Sequence, residues 1–407
     1  MKLYGGIGAM ITFFLLMQLI PSDDTGIFQI TDNPEKQWLP AMYENIVVWE
    51  DWRNNRDDQF SPVNFDIYGY NLSTREEFQI TDDPNRQENP AIFGNTVVWQ
   101  DNRNGNFDIY GYDLVTGEEF QITEDPHDQW FPAIYENIVV WEDTRNGFYD
   151  IYGYSLLTKE EFQITDNPRN QTGPAIYGTT VVWEDDRNGK IDIFGFDFST
   201  GEDFQITRGP YYRWEPIICG QTVLWEDNRN GDYDIFGYDL STKEEFPLIV
   251  EPGDQLWPQI YGNIVVFTTR HDDKWDVYAY DLLTKEEFWI SGGYEATIYG
   301  NMVAFVAYDK DHEMNLFGCD IQIIRKVRKA DLLFEQGGEA FEKKDYEKAL
   351  EYFEEARALY SETGSERAAE CDEWIQRIQE AKRGFCLGTE LLAVMIIARL
   401  FISRRSR

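Results

Sequence analysis

Basic charge, histidine and cysteine are all scarce in this chain of 407 residues. Its 36 Lys and Arg are outnumbered by 74 Asp and Glu, which leaves a formal net charge of −38. A field of that sign repels phosphate backbones and argues against a nucleic-acid partner; it attracts cations and basic surfaces and keeps an exported chain soluble. The four cysteines, Cys219, Cys319, Cys371 and Cys386, are scattered, and they form neither a metal-ligand pattern nor a disulfide framework. The first three read as small core residues, and Cys386 stands beside an apolar segment where acylation would be permitted. The three histidines, His127, His271 and His312, make no His-Glu-x-x-His arrangement, which speaks against a zinc hydrolase. A Gly-x-Ser-x-Gly elbow is absent too, and a serine-hydrolase domain would need about 200 further residues. Long apolar runs are confined to the two ends.

The first of these runs covers residues 7–20 behind a single Lys2 and defines 1–21 as a secretory signal or a signal anchor. The second, 385–402, is near the minimum length for a membrane span and is interrupted by Glu390 and Arg399. Its flank, residues 403–407 with three arginines, makes it a C-terminal transmembrane helix with a basic cytoplasmic tail. A surface-lying amphipathic helix is the alternative. The expected location is the cell surface or periplasmic side, anchored in the membrane.

What the chain has in abundance is repetition. An apolar run ends in an aromatic residue at Trp49, Trp99, Trp141, Trp183, Trp225, Phe267 and Phe305, and four of the six intervals are 42 residues. Evenly spaced stretches open at Asp66-Ile67-Tyr68, Asp108-Ile109-Tyr110, Asp150-Ile151-Tyr152, Asp192-Ile193-Phe194, Asp234-Ile235-Phe236 and Asp276-Val277-Tyr278, with Asn315-Leu316-Phe317 a weaker seventh. A third series begins at Phe28, Phe78, Phe120, Phe162, Phe204, Phe246 and Phe288, and a fourth is the Pro-Ala pair best kept at Pro40, Pro90, Pro132 and Pro174. Each is short, rich in Val, Ile and aromatics, and bounded by turn residues, which is the signature of a strand. Four strands per unit at a period near 42 predict an all-β seven-bladed propeller over 28–323. The lone strand at 28–31 is expected to close the last blade, beside the strand at 315–323. Glycine or alanine recurs in the third strand, at Gly69, Gly111, Gly153, Gly195, Gly237, Ala279 and Gly318, and the repeated Trp is expected to lie over it. An aromatic content of 16% fits such a packed core.

The string Trp141-Glu142-Asp143-Thr144-Arg145-Asn146-Gly147 followed by Asp150-Ile151-Tyr152-Gly153-Tyr154 resembles the TolB-like, WD40-like propeller repeats of archaeal and bacterial cell-surface proteins. The resemblance implies a binding or scaffold module and carries no activity of its own. From residue 329 the composition turns helical, and Gly337, Phe341, Tyr346, Ala349, Phe353 and Ala356 resemble one tetratricopeptide (TPR) repeat. With a third amphipathic helix at about 365–383, the segment 329–383 reads as a small bundle used as a spacer or for self-association.

Repeated Asp-x-Arg-Asn-Gly-x-x-Asp invites a calcium reading, but arginine stands where a ligand should be at Arg103, Arg145, Arg187 and Arg229. An Asp-Arg-Asp bracket around an Asn-Gly hairpin explains the motif better, and no cofactor is expected. Candidate binding residues lie where the chain enters each blade: Gln37, Trp38, Gln129, Trp130, Trp214 and Trp257. Trp beside polar groups suits a glycan or protein partner, and packing between blades explains the same residues. The segment containing Arg208, Tyr211, Tyr212, Arg213 and Trp214 is a basic, aromatic patch, and 52–65 carries an eight-residue insertion. The expected function is a non-catalytic binding or scaffold module. The alternatives are a polysaccharide-degrading hydrolase or lyase at the rim, whose carboxylate pair only spatial separation would reveal, and a purely structural envelope protein.

Overall fold

The computed structural model describes residues 26–54, 64–272 and 274–382. Residues 29–318 form one compact unit, and the helical residues from 319 onward belong to another. The first unit contains seven four-stranded sheets, six of them contiguous in sequence. The third blade is representative, with strands Gln129–Tyr135, Ile138–Asp143, Asp150–Ser155 and Glu160–Gln163 running from the innermost outward. The seventh blade joins Tyr294–Tyr299, Met302–Tyr308 and Met314–Asp320 to the N-terminal strand Ile27–Gln29. This is the anticipated closure, and Ile30 N–H donates to the Leu316 carbonyl at 2.8 Å. Each innermost strand touches those of the two neighbouring blades, so the seven surround a common axis.

The second strand is apolar on both faces because blades pack against each other on either side. Val139, Val140 and Trp141 are fully buried, and Trp141 stacks on Tyr152 of the third strand at 6.4 Å. The side chain over the third-strand glycine is not the tryptophan. It is the phenylalanine directly opposite in the outermost strand, Phe78 over Gly69, Phe120 over Gly111 and Phe162 over Gly153. The registers explain this correction, since Trp141 pairs with Tyr152 while Gly153 pairs with Phe162.

The first five blades also carry a polar joint, seen here in the third. Asp143 ends the second strand fully buried, accepting from the Trp141 indole N–H at 3.0 Å, from the Arg145 backbone N–H at 2.9 Å and from its guanidinium at 2.6 Å. The Arg145 guanidinium lies 4.2 Å from the Tyr152 ring centroid and reaches Glu161 of the outermost strand. The arginine therefore brackets its own aspartate with an acid of the outermost strand, Glu in four blades and Asp203 in the fourth, rather than with the second aspartate of the motif. Asn146 bridges the other aspartate, donating to Asp150 at 2.8 Å and to the Tyr152 hydroxyl at 2.9 Å. Gly147 follows at φ 84°, a conformation glycine adopts without a Cβ penalty.

Helix α1 (Ile321–Glu342) starts eight residues before the expected helical boundary, at an Asp320 cap that accepts from Gln322 N–H. Helices α2 (Tyr346–Thr363) and α3 (Arg367–Lys382) follow; α1 packs on α2 and α2 on α3 around Phe353, Ala356, Tyr360, Cys371 and Ile378. Gly337 has no Cβ where Phe353 presses against it, since an added Cβ would lie 2.9 Å from the ring. Among the described residues no helix is long and apolar enough to cross a membrane, and the two expected terminal segments fall outside them.

Substituting Gly153→Ala places a methyl 2.6 Å from Phe162. Overpacking of that kind is expected to lower stability by about 1–3 kcal/mol, read as a reduced urea midpoint at unchanged slope. Asp143→Ala strands the Trp141 indole and the Arg145 guanidinium and should cost about 3–5 kcal/mol by the same measurement.

Candidate functional site

All seven innermost strands break register at the same place, between Trp38 and Ala41, Glu88 and Ala91, Trp130 and Ala133, and correspondingly in the other four. In six blades a proline sits in this interval, and proline cannot donate to a sheet ladder. The residue before it turns to positive φ: Leu39 (48°), Asn89 (52°), Phe131 (51°), Gly173 (59°), Glu215 (52°) and Trp257 (51°). In the seventh blade Glu295 (50°) does the same without a proline.

The bulge directs one backbone N–H away from its own sheet, and the preceding blade catches it. Asn89 N–H donates to Glu50 at 2.6 Å, Phe131 to Gln100 at 3.0 Å, Gly173 to Glu142 at 2.7 Å, Glu215 to Glu184 at 2.8 Å and Trp257 to Glu226 at 2.7 Å. The seventh blade has Val306 at the acceptor position, and Glu295 itself takes the Leu39 N–H at 2.9 Å. Burial pushes these carboxyls up, to about 8 for Glu50, Glu184 and Glu226 and about 7 for Glu142. Glu215 and Glu295 are raised by the same cause. Glu215 is crowded by protein on most sides while its surface stays open to water.

At the far end of the innermost strands a girdle of rings surrounds the axis. Tyr43, Phe93, Tyr135 and Tyr177 follow one another at 4.6–4.7 Å, and Tyr261, Tyr299 and Tyr43 at 4.5–4.7 Å. Cys219 holds the seventh position, half-buried.

The residues singled out from sequence separate into two groups. Gln37, Gln129 and Arg213 are buried. The two glutamines donate to loop carbonyls, of Glu35 and His127 respectively, and so staple the loop into each blade. Arg213 replaces that glutamine in the fifth blade, pairing with Asp192 at 2.7 Å and Asp227 at 3.1 Å and donating to the Arg208 carbonyl at 3.2 Å. The tryptophans are half-buried and held by neighbouring rings or by sulfur. Trp38 donates to the Met314 sulfur at 2.7 Å and meets Trp52 edge-on at 5.1 Å; Trp130 lies 5.8 Å from Tyr149; Trp257 stacks on Trp275 at 5.4 Å. Trp214 stacks under Tyr212 at 6.1 Å, and Lys190 caps Tyr212 from 4.0 Å. Arg208, Tyr211 and Tyr212 are exposed. Of the 52–65 insertion, residues 55–63 lie outside the described residues, and its flanks Trp52 and Phe65 touch at 4.9 Å.

Sequence reasoning missed the bulge ring. Its signals were present: the residue before each proline differs from blade to blade, and a Glu or Gln follows the repeated Trp in five blades. Among the described residues no group of three or more His, Cys, Asp or Glu is placed to hold a metal ion, and the motif aspartates are engaged by Trp, Arg and Asn.

Fold and site together define a seven-bladed propeller closed by its N-terminal strand, with a ring of varied residues on buried carboxyl supports. No protein family and no curated protein matches the sequence. Solved structures do match. A puromycin-hydrolysing peptidase of Mycobacterium tuberculosis aligns with TM-score 0.58 and 11% identity over 75% of this chain and 54% of that one. An oligogalacturonate lyase from Vibrio parahaemolyticus aligns with TM-score 0.56 and 12% identity over 75% and 96%. TolB from Acinetobacter baumannii is a weaker match, TM-score 0.46 and 17% identity over 57% and 62%. This chain thus spans about half of the peptidase and less than two thirds of that TolB. What the peptidase and the lyase share with it is the propeller fold.

A carboxyl whose folded pKa exceeds its unfolded value binds more protons folded than unfolded between the two values, so stability falls as pH rises through that window. For the supports the window runs from the ordinary 4.5 to about 8. Thermal melting is expected to be highest near pH 5 and to decline toward pH 8.5. Gln100 shows that an amide serves equally well as acceptor. Glu142→Gln should therefore stabilise by about 1–3 kcal/mol at pH 8.5 and hardly at all at pH 5.

Proposed function

We propose that this chain is an extracytoplasmic propeller, tethered to the membrane by its apolar ends, that acts as a non-catalytic binding or scaffold module for a glycan or an envelope protein. The observation that carries the reading is a contrast inside each blade. The repeated Trp, Asp, Arg, Asn and Gln are bonded to one another or to loop carbonyls, so folding alone accounts for their repetition. The bulge position has one backbone geometry in all seven blades and six different residues. Left-handed backbone costs a non-glycine residue roughly 1–2 kcal/mol, and Gly173 fills the position with no such cost. Large side chains retained there at that cost are explained by what they touch. The half-buried Trp38, Trp130, Trp214 and Trp257, one position before or at the bulge, extend the same surface. The helical unit, with its TPR-like spacing, serves as spacer or self-association surface.

One observation favours a second reading. Carboxyls held near 7 to 8 in a confined site are suited to general acid chemistry, which would make the chain a polysaccharide-degrading enzyme at the propeller rim. The two readings separate on incubation of the protein with a panel of plant, bacterial and archaeal oligosaccharides. Retention with chain lengths unchanged, weakened about tenfold by Trp214→Ala, is expected. Shortened products that disappear with Glu142→Gln or Glu184→Gln would overturn the non-catalytic reading.

A further inference from the structure

We propose that the arc of the bulge ring from Phe131 to Trp257 is a binding site for an organic cation, an ammonium or guanidinium group carried on an apolar body. The inference rests on the binding-module reading and names the chemistry of its ligand.

Four consecutive blades place Phe131, Gly173, Glu215 and Trp257 side by side around the axis. Phe131 is 48% exposed, and Trp257 is fixed in plane by its stack on Trp275. Between these aromatic flanks the ring is acidic. Glu142, Glu184 and Glu226 stand behind it, each no more than 6% exposed and each giving one oxygen to a bulge N–H. In Glu142 and Glu226 the second oxygen has no hydrogen-bond partner among the described residues, and neither oxygen is sealed from solvent. Gly173 lets the Glu184 carboxyl pack directly against the bulge backbone, since a Cβ there would lie 3.3 Å from Glu184 Oε1. Glu215, on the open side, lies close enough to Glu142, Glu184 and Glu226 for its charge to act on all three.

No lysine or arginine is among the groups acting on Glu142, Glu215 or Glu226. As pH rises through the range of 7 to 8 in which Glu142, Glu184 and Glu226 ionise, the arc becomes an uncompensated negative site in a chain of net charge −38, and a confined acidic site with low-dielectric walls concentrates cations. The carboxyls are not gathered closely enough to wrap a metal ion. Aromatic faces at both ends attract ammonium and guanidinium groups and shelter the carbon chains that carry them.

The test is calorimetric titration of the protein at low salt and pH 8 with spermidine and, separately, with tetralysine. Binding of at least one is expected, weakened tenfold or more by Glu215→Gln and by Trp257→Ala. Glu202→Gln, an equal loss of charge on an exposed outermost strand, should leave affinity unchanged. Spermidine alone would identify a small amine as the ligand and tetralysine alone a polypeptide, and both results support the site. Equal weakening by Glu202→Gln and Glu215→Gln would show diffuse attraction and overturn the proposal. So would failure of both probes, and the binding-module reading would then still stand or fall separately on the oligosaccharide panel.

Discussion

A strand that gives up a ladder hydrogen bond inside a closed ring must find a partner for it outside its own sheet, because a buried backbone N–H left alone costs more than most side-chain contacts return. In this propeller the loss is built into six innermost strands by the proline after the bulge, and the partner is a carboxyl or amide of the preceding blade. The ring depends on that exchange. It links neighbouring blades with a directional contact where face-to-face packing of Val, Ile and Trp is non-directional. Burial follows for the acceptors, and from burial follow their raised proton affinities.

The exchange is not uniform around the ring. In the sixth blade Thr268 and Thr269 occupy the positions of the usual Glu-Asp pair, and their hydroxyls are buried without a partner among the described residues. In the seventh blade the pair is Val306-Ala307, and the contact to the first blade is made instead from the bulge residue Glu295. The blades that depart from the repeat are those next to the closure, where the chain termini of the unit meet. There the hydrogen bonds of Ile30 and Thr31 to Leu316 and Asn315 repeat those that the outermost and third strands make in the regular blades, as Ile80 and Thr81 do with Ile67 and Asp66.

Blade number, strand order and closure were legible in the sequence because they depend on period and strand propensity, which survive when each unit is read alone. Contacts across strands were less legible. Trp141 and Phe162 are both two-sided candidates for the space over Gly153, and only the register, with Gly153 opposite Phe162, decides between them. Arg213 is a harder case. Beside Tyr211 and Tyr212 it reads as part of a basic surface, but it stands at the glutamine position of the repeat and two buried aspartates draw it inward. The bulge ring escaped attention for the opposite reason. Its residues are of six kinds and share only a backbone conformation, which has no letter in the sequence beyond the proline that follows in six of the seven blades.

The invariance of that backbone has a consequence for how such a protein can change. Seven residues share one backbone geometry, so the side chain at any of them can change while the backbone of its sector keeps its form. The mouth of the propeller is in this sense a dial of seven settings, read in this chain as Leu, Asn, Phe, Gly, Glu, Trp and Glu.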